Sequence, residues 1–238
     1  MNEQCDLVNG HCAPSNFEAL SQLGTSPTNK TELIYIGDPM CSWCWGIAPA
    51  LKQLRNHYAK QNVPFGILAG GLRPGGGEPW DDAMKSLLKH HWSEVEKRSG
   101  QPFGYALLER DTFNYDTEPA CRAVVTARTM MNENLLSFFE AIQYKFYVLS
   151  EDPGNLSFYE SICAQFGLDF TAFSTTFEQD EMRLATRDEF QLNRQWGVTG
   201  YPTVVLSHNN QLFSLAHGYA PFEAMHEVVE RIFAAEKQ

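Results

Sequence analysis

The sequence predicts an α/β fold in which a mixed sheet of short strands is interrupted by a large all-helical insertion. Three observations lead there. Short apolar runs sit toward the two ends of the chain, at Leu33–Ile36, Val63–Ala69, Thr203–Leu206 and Leu212–Ala216. Between them, from Glu78 to Trp196, a 3.6-residue apolar period dominates. The chain's 238 residues, 43% hydrophobic and 20% charged, suffice for a full core and argue against a disordered, collagen-like or coiled-coil protein. The expected organisation is an irregular arm over residues 1–30, a sheet-bearing domain made of 31–77 and 197–238, and a helical insertion over 78–196.

The elements follow in order. Residues 1 to 30 are polar, carry Gly10, Pro14, Gly24 and Pro27, and keep no period. The strand Leu33–Ile36 stops at Gly37-Asp38-Pro39, and a helix opens at Cys41 with the apolar stripe Ile47, Ala50, Leu51, Leu54, Tyr58. A second strand, Val63–Ala69, runs into the glycine-rich stretch Gly70 to Gly77, read as a hinge or loop. Helical stripes then run through Met84, Leu87, Leu88, His91, Trp92 and Val95, through Ala120, Val124, Ala127 and Met131, and through Leu135, Phe138, Phe139, Ile142, Phe146 and Leu149. Helix starts are marked by Asp116 or Thr117 ahead of Pro119, and by Asn155 ahead of Phe158, Ile162 and Phe166. The turn His208-Asn209-Asn210 joins the last two strands as an antiparallel hairpin. A final helix places Phe222, Met225, Val228, Val229, Ile232 and Phe233 on one face.

Charge narrows the function classes. Eighteen basic against 29 acidic residues leave a formal net charge of −11, which repels phosphate backbones and anionic membranes. Neither nucleic acid nor a membrane is therefore an expected partner. No basic n-region or apolar h-region follows Met1, and no run reaches membrane-spanning length, so the expected compartment is the cytoplasm. There, most of the six cysteines should be reduced.

The cysteines form three sets. Cys121 and Cys163 lie on apolar faces of predicted helices and read as small hydrophobes. Cys5 and Cys12 lie in the arm and their role is open: a second regulatory or relay disulfide is one reading, and half of a zinc site with Cys41 and Cys44 another. The six residues between Cys5 and Cys12 are poor spacing for zinc, and no metal is expected. Cys41-Ser42-Trp43-Cys44 occupies the first turn of a helix fed by a buried strand. Unsatisfied backbone N–H groups and the positive helix end favour a thiolate at Cys41. Cys44, three residues on, shares its face and can resolve a bond made at Cys41. Met40, Trp43 and Trp45 surround the pair and suggest an apolar substrate surface, with Trp45 as core the plainer reading.

A second candidate is Gly200-Tyr201-Pro202-Thr203. Proline beginning a strand is tolerated as an edge, first or cis residue, and it leaves the Tyr201 backbone available to an extended peptide or thiol ligand. His57, His90 and His91 are assigned no role. Arg73 reads as an exposed loop residue, and Asp81, Asp82, Glu178, Asp180 and Glu181 as helix caps or solvated acids.

With these residues in place, the chain resembles the DsbA family of the thioredoxin superfamily over residues 32 to 237. Asp38-Pro39-Met40-Cys41-Ser42-Trp43-Cys44-Trp45-Gly46 and Thr117-Glu118-Pro119-Ala120-Cys121-Arg122-Ala123 are most similar to its cytoplasmic disulfide-isomerase branch, near FrnE-type proteins and 2-hydroxychromene-2-carboxylate isomerases. The resemblance implies a thioredoxin-like fold with a large all-helical insertion and a thiol–disulfide oxidoreductase or protein disulfide isomerase. Cys41 would be the attacking thiolate, Cys44 the resolving thiol, and Pro202 a cis-proline facing the disulfide. Ser42, Trp43, Gly200, Tyr201 and Pro202 would contact the substrate, a disulfide-bearing protein or small thiol, and Pro49 would kink the active-site helix. No bound cofactor is implied; glutathione is a candidate co-substrate. Ser42-Trp43 lacks the proline or histidine usual between the cysteines, which leaves the reduction potential open. Two other readings stand beside this one: a glutathione-dependent isomerase or kappa-type transferase, and a non-catalytic peptide-binding module.

Overall fold

The computed structural model describes residues 30–131 and 133–235, so the expected arm with Cys5 and Cys12 lies outside the described residues. Contacts divide the chain into two units. One takes the residues through Gly37, Ile47–Leu68 and Gln191 onward; the other takes Asp38–Gly46 and Ala69–Phe190. The peptide carrying Cys41 and Cys44 therefore groups with the helices. The reason is visible in its bonds, since Asp38 is tied to Leu72 and Cys121, and Met40 to Tyr115.

The first unit holds the sheet, in the order β2-β1-β3-β4, formed by β1 (Glu32–Gly37), β2 (Phe65–Ala69), β3 (Thr203–His208) and β4 (Gln211–His217). β1 and β3 pair antiparallel with Leu33 opposite Leu206 and Ile36 opposite Thr203; β3 and β4 pair antiparallel with Leu206 opposite Phe213. β3 is buried along its whole length and β1 along nearly all of it, as unbroken apolar runs require. β2 begins at Phe65, later than the predicted Val63. Asn62 takes a φ of 58°, and the Val63 N–H turns back to the Tyr58 carbonyl at 3.1 Å, ending the helix before the strand can start. Asn209 and Asn210, with φ of 49° and 60°, make the two-residue hairpin turn whose twist suits paired strands.

Helix α1 (Ser42–Ala59) buries Ile47, Leu51, Leu54 and Tyr58, as its stripe predicts, while Ala50 stays half-buried. Ile34, Ile36, Trp196, Val198, Val205 and Leu212 form one core cluster of this unit, with Leu68, Leu192 and Tyr201 packed on it. The last helix of the chain (Phe222–Ala235) buries Met225, Val229 and Ile232; Phe222, Val228 and Phe233 are half-buried.

The second unit holds α2 (Asp82–Ser99), α3 (Glu118–Met130), α4 (Leu135–Tyr147), α5 (Glu160–Gln165), α6 (Phe170–Phe177) and α7 (Asp180–Gln195) as far as Phe190. The final helix is thus α8. Every residue of α3 from Ala120 to Ala127 is buried, which makes it the central helix of this unit, packed on α4 and α6. Leu88, Trp92 and Val95 of α2 point inward as expected, and Trp92 stacks on Phe103 at 5.6 Å and meets Tyr147 edge-on at 5.3 Å. Two stripe members do not join a core. Leu87 is 46% exposed, and Leu149 is 50% exposed because α4 has ended at Tyr147. Asp81 caps α2 by accepting the Met84 N–H at 2.9 Å, the role read for it in the sequence.

Of the two readings of the glycine-rich stretch, hinge or loop, the structure shows a fastened loop. The Gly75 N–H donates to Asp116 Oδ1 at 2.7 Å and the Gly77 N–H to Asn114 Oδ1 at 3.0 Å. Gly71 is required as glycine: its φ is +77°, and a Cβ would lie 2.7 Å from the Phe190 ring.

Candidate active site

β1 delivers the chain to Asp38, and a tight turn follows. The Cys41 N–H donates to the Asp38 carbonyl at 3.0 Å, and the Cys41 carbonyl accepts the N–H groups of Cys44 at 3.0 Å and Trp45 at 3.2 Å. Cys41 thus stands at the N-cap of α1, and Cys44 lies one turn later. No acidic side chain occupies the first turn of α1, so nothing carried there competes with an anion at Cys41. Cys44 is 0% exposed and Cys41 5%, so the first sulfur is the more accessible of the two. Both are thiols in the structure, as are Cys121 and Cys163. Ser42 and Trp43 are half-buried beside them.

The turn is held on several sides. Asp38 Oδ1 accepts the Met40 N–H at 2.8 Å and Oδ2 the Leu72 N–H at 2.6 Å, while the Cys121 thiol donates to Oδ2 at 3.4 Å. Thr117 Oγ1, close by, accepts the Arg73 N–H at 3.0 Å. Burial pushes the Asp38 carboxyl up from the usual aspartate value, against the pull of these donors. Burial, and then Asp38, push the Cys121 thiol well up, which keeps it a donor. The Tyr115 hydroxyl donates to the Met40 carbonyl at 2.7 Å. Burial raises both Tyr115 and Tyr147, with Cys41 and Asp38 among the charges acting on each. Arg73, expected as an exposed loop residue, lies 5.3 Å from the Tyr115 ring centroid and pairs with Glu78.

The expected apolar surface is smaller than the sequence suggests. Met40 is 1% and Trp45 7% exposed, and the Trp45 indole N–H donates to the Pro102 carbonyl at 3.0 Å, so both are core. Only Trp43 of the three is left half-buried. Pro49, inside α1, removes the N–H that would have bonded to the Trp45 carbonyl. The Gln101 side chain replaces it, donating Nε2 to that carbonyl at 3.0 Å. Gln101→Ala should cost about 1–2 kcal/mol, because it leaves a buried carbonyl without a donor. Urea unfolding measures this directly, and a loss below about 0.3 kcal/mol would show that the carbonyl has another partner.

Gly200, Tyr201 and Pro202 belong to the sheet-bearing unit. The Tyr201–Pro202 peptide is cis. The segment is fixed by Thr203 Oγ1 donating to the Gly200 carbonyl at 2.8 Å and by the Gly218 N–H donating to the Pro202 carbonyl at 2.7 Å. Burial lowers the neighbouring His217 below the ordinary histidine value.

Asp38, Thr117, Cys121 and Tyr115 were not assigned to the site by sequence reasoning. Thr117 and Cys121 are four residues apart and share a helix face, a signal that was there to be read. In the sequence Asp38 reads as a strand terminator and as the first residue of the motif around the cysteines, with no task of its own. Among the described residues no group of three or more His, Cys, Asp or Glu side chains could hold a metal ion. Nor is any described helix long and apolar enough to cross a membrane.

Comparison with known proteins identifies the fold and the family. A candidate protein disulfide isomerase from Nitrosomonas europaea is 34% identical, with a TM-score of 0.79 over 87% of this chain and 98% of that one. DsbM, a cytosolic disulfide reductase from Pseudomonas aeruginosa, shares the fold at 22% identity and a TM-score of 0.71, covering 85% of this chain and 99% of its own. The ClpXP adapter protein SpxH of Shouchella clausii is 23% identical over 220 residues, which is 88% of this chain and 68% of that protein. The DSBA-like thioredoxin domain matches residues 34–230. With its thiol pair at the first turn of α1, a mixed sheet and a helical insertion, the chain belongs to the DSBA-like thioredoxin domain family and has that family's thiol–disulfide oxidoreductase fold.

Proposed function

We propose that this protein exchanges disulfides through Cys41 and Cys44, acting on disulfide-bearing proteins or small disulfides, with glutathione as the co-substrate that returns the pair to thiols. One observation carries the reading: Cys41 caps the start of α1, and fully buried Cys44 follows in the same turn. A thiolate at Cys41 attacks one sulfur of the substrate disulfide, forming a mixed disulfide and expelling the other sulfur as a thiolate. Cys44, having lost its proton, then attacks the Cys41 sulfur, closing the Cys41–Cys44 disulfide and releasing the second substrate thiolate. Two glutathione thiols reverse these steps at the pair and leave as glutathione disulfide. Burial of Cys44 fits the resolving role, since an intramolecular attack needs no access from solvent. Contact with the substrate through Ser42, Trp43, Gly200, Tyr201 and Pro202 is part of this proposal, as is a cytoplasmic location.

Cys44→Ala tests the sequence of steps. Mixed disulfides through Cys41 should accumulate with both a protein disulfide and glutathione disulfide, detectable by mass after acid quenching. Their absence with both substrates would overturn the mechanism.

A further inference from the structure

The carboxyl of Asp38 is the most heavily engaged buried group near the thiol pair, and the exchange chemistry leaves it without a task. It is 0% exposed. Three donors converge on it: the Met40 N–H, the Leu72 N–H and the Cys121 thiol. Three donors with no acceptor suit a carboxylate, which offers about four lone-pair sites and no proton. Burial pushes the carboxyl up from the usual aspartate value, and these donors pull the other way. They are what makes a charge tolerable at this position.

These bonds join three pieces of chain to one point. The Met40 N–H lies in the turn before Cys41, Leu72 in the loop after β2, and Cys121 near the start of α3. The Asp38 carbonyl accepts the Cys41 N–H, so the same residue holds the turn by backbone and by side chain. Tyr115 closes the remaining side by donating to the Met40 carbonyl. Consequently both polar groups of the Met40–Cys41 peptide, and the N–H before it, are fixed. Cys41 enters α1 with little freedom to change the direction of its sulfur relative to the helix start.

We propose that Asp38 is a positioning residue for the Cys41/Cys44 pair, a buried acceptor of three hydrogen bonds that fixes the turn presenting Cys41 at the start of α1, with Cys121 as its supporting side-chain donor. Cys121 thereby takes a different place from the small hydrophobe its helix face suggests. The inference rests on the exchange mechanism only for its redox readout, because the reactivity of Cys41 reports the turn whether or not exchange occurs.

Asp38→Asn keeps the volume and one acceptor but aims an amide N–H₂ at a site built of donors. With the full chain, two quantities are read: the rate of Cys41 alkylation by iodoacetamide, followed by peptide mass, and the equilibrium of the Cys41/Cys44 pair against a glutathione buffer. Asp38→Asn should slow alkylation at least about fivefold and shift the equilibrium constant at least about fivefold. Cys121→Ala, which keeps the carboxylate and removes one donor, should move both in the same direction by less. Either variant, folded by near-ultraviolet circular dichroism yet within about twofold of the parent on both quantities, would overturn the proposal. If Asp38→Asn does not fold, Cys121→Ala alone decides by the same limits. If the unmodified chain forms no Cys41–Cys44 disulfide in glutathione buffer, the proposed function fails. The alkylation rates then still decide the role of Asp38.

Discussion

Cys41→Ser lowers disulfide-exchange turnover at least about a thousandfold and leaves the fold in place. A serine hydroxyl does not ionise near neutral pH and forms no bond to sulfur under these conditions, so neither the attack nor the mixed disulfide survives the change. The fold should tolerate it because the backbone bonds of the turn, from the Cys41 N–H to Asp38 and from Cys44 and Trp45 to the Cys41 carbonyl, use no sulfur atom. Serine is also a good N-cap, so α1 should start where it does now. An insulin-reduction or peptide-disulfide assay reads turnover, and circular dichroism reads the fold. The same variant separates the rival chemistry. If glutathione's own thiol were the nucleophile, activated at the helix start, a hydroxyl at position 41 would support it. Activity retained within about tenfold would favour the isomerase or transferase reading. Client binding that survived loss of both cysteines, with no exchange at all, would favour the peptide-binding module.

Arg122→Ala should lower stability by about 3–5 kcal/mol, the largest expected effect of a single change away from the thiols. The Arg122 side chain is 5% exposed in the central helix α3. Its Nε lies 3.0 Å from Glu118 Oε1, Nη1 donates to the Phe177 carbonyl at 2.8 Å, and the guanidinium carbon stands 3.9 Å from the Phe177 ring centroid. Truncation leaves a mostly buried carboxylate without its cation, a carbonyl at the end of α6 without its donor, and a void beneath an aromatic ring. Arg122→Met, which restores the stem, should recover only the packing part. Urea unfolding checks both, read as a lower midpoint at unchanged slope. A loss below about 1 kcal/mol for Arg122→Ala would mean that water reaches Glu118 and Phe177. Since α3 also carries Thr117 at its N-cap and Cys121 in its first turns, instability there would reach the Asp38 bonds as well.

The elements that were legible in the sequence are those set by local pattern. β1 and β3 are unbroken apolar runs, the Asn209-Asn210 turn needs residues that tolerate positive φ, and the stripe on α1 matches the helical period. Where the reading missed or stayed open, a longer-range contact had decided. Gly70 to Gly77 could be read only as a hinge or a loop because glycine is locally permissive; it is a loop, and Asn114 and Asp116, some forty residues away in sequence, fasten it. Leu87 and Leu149 fit a helical period but face solvent, because period alone does not say which stripe member meets a neighbour.

The candidate site divides the same way. The two cysteines, their spacing and their place at a helix start were fixed by residues next to one another, and a strand feeding a helix is enough to put both sulfurs on one turn. What surrounds them came from elsewhere in the chain: Tyr115 to the Met40 carbonyl, Gln101 to the Trp45 carbonyl that Pro49 had stripped of its donor, and Cys121 to Asp38. Local sequence can place a nucleophile, because helix geometry repeats over a few residues. Which distant donors satisfy the buried groups around it is a property of packing, and only the folded chain decides that.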